Sequence, residues 1–355
     1  MRIISIANQK GGCGKTTTAI NLSACLANKG RKVLLIDMDP QGHSALHLNI
    51  NSDELKKTVY DALFISNSSA TRLDEVIIEI GNNFHIAPSN ISLSTFDQHL
   101  SMVQGRETRL KEAIDNLYQA YDYILIDCPP SLGLLTFNSL LASTEVIVPI
   151  EMSLFSLHGI SKLMEILDLV QERTGHKIKI NAIATMYDSR TRISKEVLKD
   201  IRDNFKDSMY KTVINLNVKL KEAASFGMSI LDYQKKARGF IDYAALANEV
   251  VKDEKRLGME LVKQKKSFLK IEKRFVFHAP DAISVKIVGS FNNWTPSEES
   301  TMERDQEGKW SKRILLEPGK YEYKFLVNDI WIEDNRNPNL ADNAFGGKNS
   351  VIEIV

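Results

Sequence analysis

The sequence predicts an α/β protein: a doubly wound, mostly parallel sheet in residues 1–251, followed by a small antiparallel β-sandwich. Three observations carry that expectation. Short, near-continuous β-branched runs alternate with helical stretches over the first part, the pattern of strands buried on both faces. A glycine-rich turn, "KGGCGK", separates the first run from the first helix. From Phe275 onward the texture changes to short alternating strands broken by Pro, Gly and Asn turns.

Taken in order, "RIISIAN" is the first strand, and a helix from Lys15 to Lys29 follows, stopped by Gly30. "KVLLID", "YDYILID", "TEVIVPI" and "IKINAIATMY" continue the sheet, with a helix Ser156 to Thr174 stopped by Gly175. The segment Lys252 to Arg274 holds nine Lys/Arg against four Asp/Glu, net +5, and predicts a basic helical connector over 252–272. The strands "SVKIVGSF", "GKWSKRILL" and "GKYEYKFLV" then build the sandwich, 273–355, of immunoglobulin-like type.

At 355 residues and 40.1 kDa the chain is long enough for two cores. Its formal charge of +1 excludes nucleic-acid binding through overall charge, so such a contact needs a local patch. Cys13, Cys25 and Cys128 lack paired or metal-binding spacing, and so do His43, His47, His158 and His176. Cys13 is expected to be a small apolar filler. No signal peptide or long apolar run is present, which predicts a cytoplasmic, reducing setting and no membrane partner.

The stretch "NQKGGCGKTTT", Asn8 to Thr18, has the parts a nucleotide loop requires. Glycine amides wrap the phosphates, Lys15 reaches the terminal ones and the Thr16 hydroxyl holds Mg²⁺. The first glycine of G-x-x-x-x-G-K-[ST] would fall at Gln9, so the form is a variant, and it carries a second lysine, Lys10. The run "KGGCGKTTTAINLSACLA" resembles the deviant Walker A motif of the ParA/MinD family of P-loop NTPases, specifically the ParA-type partition ATPases. "LLIDMDPQGHS" resembles that family's second acidic motif, "ILIDCPPS" its Walker B, and "NVKLKEAASFG" its late signature.

Charge then assigns roles for ATP and Mg²⁺, because phosphoryl transfer needs anions neutralised and a water aligned. Lys15 should hold the β- and γ-phosphates, and the amides of Gly12, Cys13, Gly14 and Lys15 the remaining oxygens, with Thr17 beside them. Asp127 should reach Mg²⁺ through water and Asp37 should support the metal shell. The resemblance implies that Asp39 positions or activates the attacking water. It also implies that Lys10 crosses a homodimer interface to the partner's nucleotide, with Gly11 leaving room for the approach. Adenine is expected near Met186 and the turn Ile214–Asn217, where Asn215 stands in place of a proline common in the family and Asn217 follows.

In the partition relatives, basic residues in two regions bind DNA without sequence preference; here these are Arg190, Arg192 and Lys195, and Lys219 and Lys221. The expected function is therefore a weak, partner-stimulated ATPase that segregates chromosome or plasmid DNA, or positions a cargo, over the nucleoid, with a ParB-like stimulator. Two alternatives are a spatial organiser of a polysaccharide granule or protein cluster, and a metabolic or assembly ATPase that binds no DNA.

The tail stretches "VKIVGSFNNWTP", "GKWSKRILLEPGKYEYKFLVNDIWIEDNRNPN" and "GGKNSVIEIV" resemble the glycogen-binding module of the AMP-activated protein kinase β-subunit. That resemblance implies that Trp294 and Trp331 stack on glucose rings of an α-glucan while Lys324 and Asn349 bind hydroxyls. Phe345 falls where a leucine threads the sugar ring in some members, and Trp310 is expected in the core.

Overall fold

The computed structural model describes residues 1–64, 71–153, 156–268, 271–316, 319–343 and 346–354, with 156–161 and 255–268 described as backbone alone. The chain divides into two compact units, 1–252 and 253–355.

In the first unit eight strands form one sheet: β1 (Arg2–Ile6), β2 (Val33–Asp37), β3 (Ile78–Gly81), β4 (Phe84–Ala87), β5 (Tyr123–Asp127), β6 (Glu145–Glu151), β7 (Lys179–Tyr187) and β8 (Met209–Asn215). Their order is β3-β4-β2-β5-β1-β6-β7-β8, and all neighbours are parallel except β3 with β4. Alternation along each strand feeds two cores. Leu34, Ile36, Ile124, Ile126, Val146 and Val148 enter one, and Val33, Leu35, Tyr123, Leu125 and Ile147 the other. Both faces are covered, so β2 and β5 are apolar up to their terminal aspartates, and the two polar residues of β1, Arg2 and Ser5, are buried and hydrogen-bonded. Each Leu or Ile so buried contributes about 2 kcal/mol.

The first helix runs Lys15–Ala27, two residues shorter than expected: Asn28 caps it, and Gly30, at φ +76°, donates to the Ala27 carbonyl. The helix Ser156–Thr174 ends where expected, before Gly175 at φ +68°. The β3–β4 hairpin and β8 had not been anticipated. β3 is a half-exposed edge strand only four residues long, and the signal Gly81-Asn82-Asn83, with Asn83 at φ +63°, marks the turn without any long apolar run before it. β8 is interrupted by exposed Lys211. A helix from Arg238 to Phe268 begins in the first unit and covers the segment expected as a connector as far as 268, and a strand already opens at Ile271, two residues before the expected start of the sandwich. Among the described residues no helix is long and apolar enough to cross a membrane.

The second unit is built of β9 (Ile271–His278), β10 (Val285–Gly289), β11 (Glu303–Arg304), β12 (Lys309–Leu316), β13 (Gly319–Val327), β14 (Ile330–Ile332), β15 (Leu340–Asp342) and β16 (Lys348–Ile354). One antiparallel sheet runs β10-β13-β16-β15, with β14 on β13, and the other β11-β12-β9. Phe275, Trp310 and Leu316 from one sheet pack with Val285, Ile287, Tyr323 and Phe325 from the other. Trp310 is 6% exposed and its indole nitrogen donates to the Ala279 carbonyl at 2.9 Å, which makes it core.

Candidate functional site

Parallel register lines up the strand ends that carry the chemistry. Asp127 of β5 stands opposite Ile6 of β1 and Asp37 of β2, so the glycine loop after β1 and both acids meet at one edge. The loop is pinned from behind: Asn8 Nδ2 donates to the Pro149 carbonyl at 2.7 Å and Thr185 Oγ1 to the Cys13 carbonyl at 2.9 Å. Cys13 is buried, and burial raises its thiol pKa, as expected of a filler. Gly12 and Gly14 adopt φ +75° and +88°, where a side chain would be strained. Gly14 leads into the Lys15–Ala27 helix with no side-chain cap, so its first amides face an open cleft of about 800 Å³ lined by Gly11, Gly12, Gly14, Lys15, Thr16, Thr17, Asp39 and Met186. Lys15 Nζ rests 3.3 Å from the Lys10 carbonyl.

The two strand-end acids are buried side by side. Asp37 accepts the amides of Asp39 at 3.0 Å and Ser44 at 3.2 Å. The Ser44 hydroxyl donates to Asp127 Oδ2 at 2.9 Å, while Asp127 Oδ1 is buried without a hydrogen-bond partner among the described residues. Burial pushes Asp127 up to about 6 against the hydroxyls of Thr16 and Ser44, and burial together with the Asp127 charge holds Asp37 well above the usual carboxylate range. An orphaned oxygen beside a second carboxylate and a threonine hydroxyl is a donor set suited to a hard divalent cation, so these residues fit Mg²⁺. Asp39 lines the same cleft; one of its oxygens accepts the Gln41 amide at 3.0 Å.

Lys10 does not lie free. Its ammonium pairs with Glu151 at 2.5 Å and donates to Ser153 Oγ at 2.6 Å, both at the end of β6 in its own subunit. A Cβ added at Gly11 would meet nothing within 4 Å among the described residues. A second cavity of about 400 Å³ adjoins the loop and is lined by Thr17, Thr185, Met186, Asn215, Leu216, Asn217 and Tyr243. Met186 adopts φ +53° there, a conformation uncommon for a long side chain and frequent at ligand sites.

On the second unit Trp294 and Trp331 stand 6.2 Å apart, tilted by 54°. Two tight turns place them. Asn293 and Trp294 are both left-handed, at φ +53° and +57°, and Trp294 N donates back to the Gly289 carbonyl at 2.9 Å. Asn328 and Asp329, at φ +48° and +65°, reverse the chain between β13 and β14 and so set Trp331. The rings border a cavity of about 720 Å³ with Glu322, Lys324, Asp342, Asn343 and Asn349. Asn349 is only 6% exposed; its Nδ2 donates to Glu322 at 2.8 Å and its Oδ1 accepts from Asn343 at 3.1 Å. Lys324 lies 3.7 Å from Glu333. Phe345 is outside the described residues.

Comparison with known proteins places both parts. Residues 1–180 match the AAA domain family and residues 271–355 the glycogen recognition site of AMP-activated protein kinase. Over 250 residues the chain is 42% identical to the sporulation initiation inhibitor protein Soj of Bacillus subtilis, covering 70% of this chain and 98% of that one. The chain belongs to the ParA/Soj family of P-loop ATPases. It is likewise 40% identical over 252 residues to the chromosome partitioning protein ParA of Myxococcus xanthus, covering 71% of this chain and 88% of that one. Among solved structures, cobyrinic acid a,c-diamide synthase of Mycobacterium smegmatis with bound ADP and magnesium superposes with a TM-score of 0.61 at 32% identity, covering 72% of this chain and 95% of that one. ATP and Mg²⁺ are the cofactors of this ParA/Soj-type unit, and a glycogen-recognition module follows it.

Of the basic residues expected on the surface of the ParA/Soj unit, Arg190, Arg192, Lys195 and Lys221 are exposed and Lys219 is half-buried, and three of the five are paired. Arg190 grips Asp188 at 2.7 Å and pulls that carboxyl down to about 2; Arg192 pairs with Glu196 at 2.7 Å and Lys219 with Glu222 at 2.7 Å. Lys195 and Lys221 have no ion-pair partner among the described residues. Four contributors had escaped sequence reasoning. Ser44 lay inside the quoted "LLIDMDPQGHS" without being singled out. Glu322 sits two residues before Lys324 on one strand, and that spacing puts both on one face. Glu151, and Asp242, whose Oδ2 accepts from the Asn215 side chain at 2.8 Å, left no local signal.

Proposed function

We propose that the first unit is an ATP-driven timer that dimerises around two nucleotides and holds DNA non-specifically while dimeric. Lys15, Thr16 and the loop amides would bind the triphosphate and Mg²⁺; Asp127 and Asp37 would hold the metal's water shell. Asp39, open to the cleft, would orient the water that attacks the γ-phosphorus, and breaking that bond would release the subunits. The observation that carries the reading is the second lysine: Lys10 stands beside Gly11 on the limb of the loop opposite Lys15, and its ammonium is held by Glu151 and Ser153 at the end of β6 rather than turned toward the cleft of its own subunit. In the dimer it would exchange Glu151 for the partner's phosphates. Basic groups on the dimer would then neutralise DNA phosphates, doubled in number by dimerisation. Segregation of DNA, or positioning of a cargo over the nucleoid with a ParB-like stimulator, follows from that cycle. Light scattering with ATP and Mg²⁺ tests it: wild type and Asp39→Ala should dimerise and Lys10→Ala should not. A dimer unchanged in Lys10→Ala refutes the two-lysine argument.

A second reading concerns what is carried, and the paired tryptophans favour it. Two indoles over a polar floor offer flat apolar surface with orienting hydrogen-bond groups, the chemistry of a glucose polymer. The second unit would then tether an α-glucan granule, and ATP-dependent dimerisation would present two modules and raise avidity. Co-sedimentation of the full chain with glycogen, with and without ATP, tests this; no pelleting in either state leaves the module as a protein-contact domain.

A further inference from the structure

Asn215, which ends β8, and Asn217, which caps the helix Val218–Ser225, have side-chain amides held in opposite senses. Asn215 Nδ2 donates to Asp242 Oδ2 at 2.8 Å, and its backbone N donates to the same oxygen at 2.9 Å. The second Nδ2 hydrogen lies toward the Val213 carbonyl at 3.4 Å. A carboxylate only accepts, so the NH₂ end must face Asp242 and the Oδ1 end is left for the base pocket that Asn215 lines. Asn217 is the reverse: its Oδ1 accepts the Lys219 amide at 2.8 Å, which leaves Nδ2 as a donor on the same pocket.

Asp242 is firmly placed for this task. It is 4% exposed and anchored by Arg238 at 2.9 Å. Its helix packs against Val218–Ser225 so tightly that a Cβ at Gly239 would stand 2.8 Å from Leu220 Cγ.

We propose that Asn215, oriented by Asp242, selects adenine over 6-oxopurines in this ATPase. Adenine presents an amine donor at C6 and an acceptor at N1; a 6-oxopurine presents an acceptor at C6 and a donor at N1. An acceptor at Asn215 and a donor at Asn217 match the first edge and oppose the second, and a half-buried mismatch leaves groups unpaired. The inference rests on the reading that the pocket beside Met186 takes the base.

The test is fluorescence-measured affinity of the full chain for ATP and ITP, with folding checked by circular dichroism. Wild type should prefer ATP by about tenfold or more. Asn215→Ala should weaken ATP about five- to tenfold and leave ITP nearly unchanged, bringing the ratio toward one. Asp242→Asn keeps Asn215 but frees its amide to flip, so it too should lower the ratio, an effect a purely structural role would not produce. A ratio retained in Asn215→Ala, or equal losses of ATP and ITP, overturns the proposal. Ala224→Phe, which narrows the pocket, separates the two levels: it should weaken both nucleotides together. If it weakens neither, the base-pocket reading fails and the proposal with it; if it weakens both while Asn215→Ala keeps the ratio, the selector assignment alone fails.

Discussion

Asp127→Asn should stabilise the nucleotide-free protein while destroying its response to Mg²⁺. Asp127 is buried beside Asp37 with one oxygen unpartnered, and burial lifts it from the ordinary 3.8 to about 6. At 1.36 kcal/mol per tenfold, that rise sets a ceiling of about 3 kcal/mol on the cost of keeping it ionised at pH 7. An amide removes the charge and keeps the Ser44 hydrogen bond through its oxygen, but its NH₂ end then stands buried where the unpartnered oxygen was, a loss of about 1 kcal/mol. The net gain is about 2 kcal/mol, or a rise of about 4–8 °C in the melting temperature of a unit of this size. The sign follows from the raised value. The folded state holds this proton more tightly than the unfolded one, so the wild-type penalty is absent below about pH 4 and grows as pH rises through about 6. The advantage of Asp127→Asn should therefore be full at pH 7.5 and vanish near pH 4. All three tryptophans lie in the second unit, so indole fluorescence follows that unit and far-UV circular dichroism follows both; comparing them in EDTA isolates the ATPase. With ATP and Mg²⁺ only wild type should gain stability. A variant less stable at pH 7.5, or a difference independent of pH, refutes the reasoning.

Four further outcomes are expected. Lys15→Ala should abolish ATP binding in equilibrium dialysis, whereas Lys10→Ala should bind ATP within about threefold of wild type, the cost of one peripheral hydrogen bond. Glu151→Gln, which loosens the resting partner of Lys10, should shift the ATP-dependent dimer to lower protein concentration in light scattering; no shift would mean the ion pair does not hold the monomer. Glu196→Gln frees Arg192 and should strengthen binding to any duplex, while Arg192→Glu should weaken it and lower the salt slope by about 0.9 per lost phosphate contact; gel shifts at several salt concentrations check both. Trp294→Ala or Trp331→Ala should nearly eliminate glycogen co-sedimentation with ATPase activity unchanged, and Glu322→Ala should weaken it by releasing Asn349, with Glu322→Gln restoring most of it.

Much of this protein was legible in one dimension. The loop Asn8–Thr18 declares its chemistry because phosphate binding is done by consecutive amides and two neighbouring side chains, all within one turn of chain. The buried strands declare themselves because covering both faces of a parallel sheet leaves few polar positions. The tryptophan turns are legible in part, since Asn293 and the pair Asn328–Asp329 accept left-handed backbone readily, whereas the left-handed Trp294 itself could not be read from residue type. What tertiary structure decided are the partnerships between segments distant in the chain. Register alone sets Asp37 against Asp127, 90 residues on, and makes of two strand-end acids one buried donor set that fits a divalent cation. The ion pair of Lys10 with Glu151, the grip of Glu322 on Asn349 and the orientation of Asn215 by Asp242 belong to the same class. Periodicity tells which face a residue occupies, but which distant residue stands opposite depends on how whole elements pack, and that is settled only when the sheet and its helices close around one another.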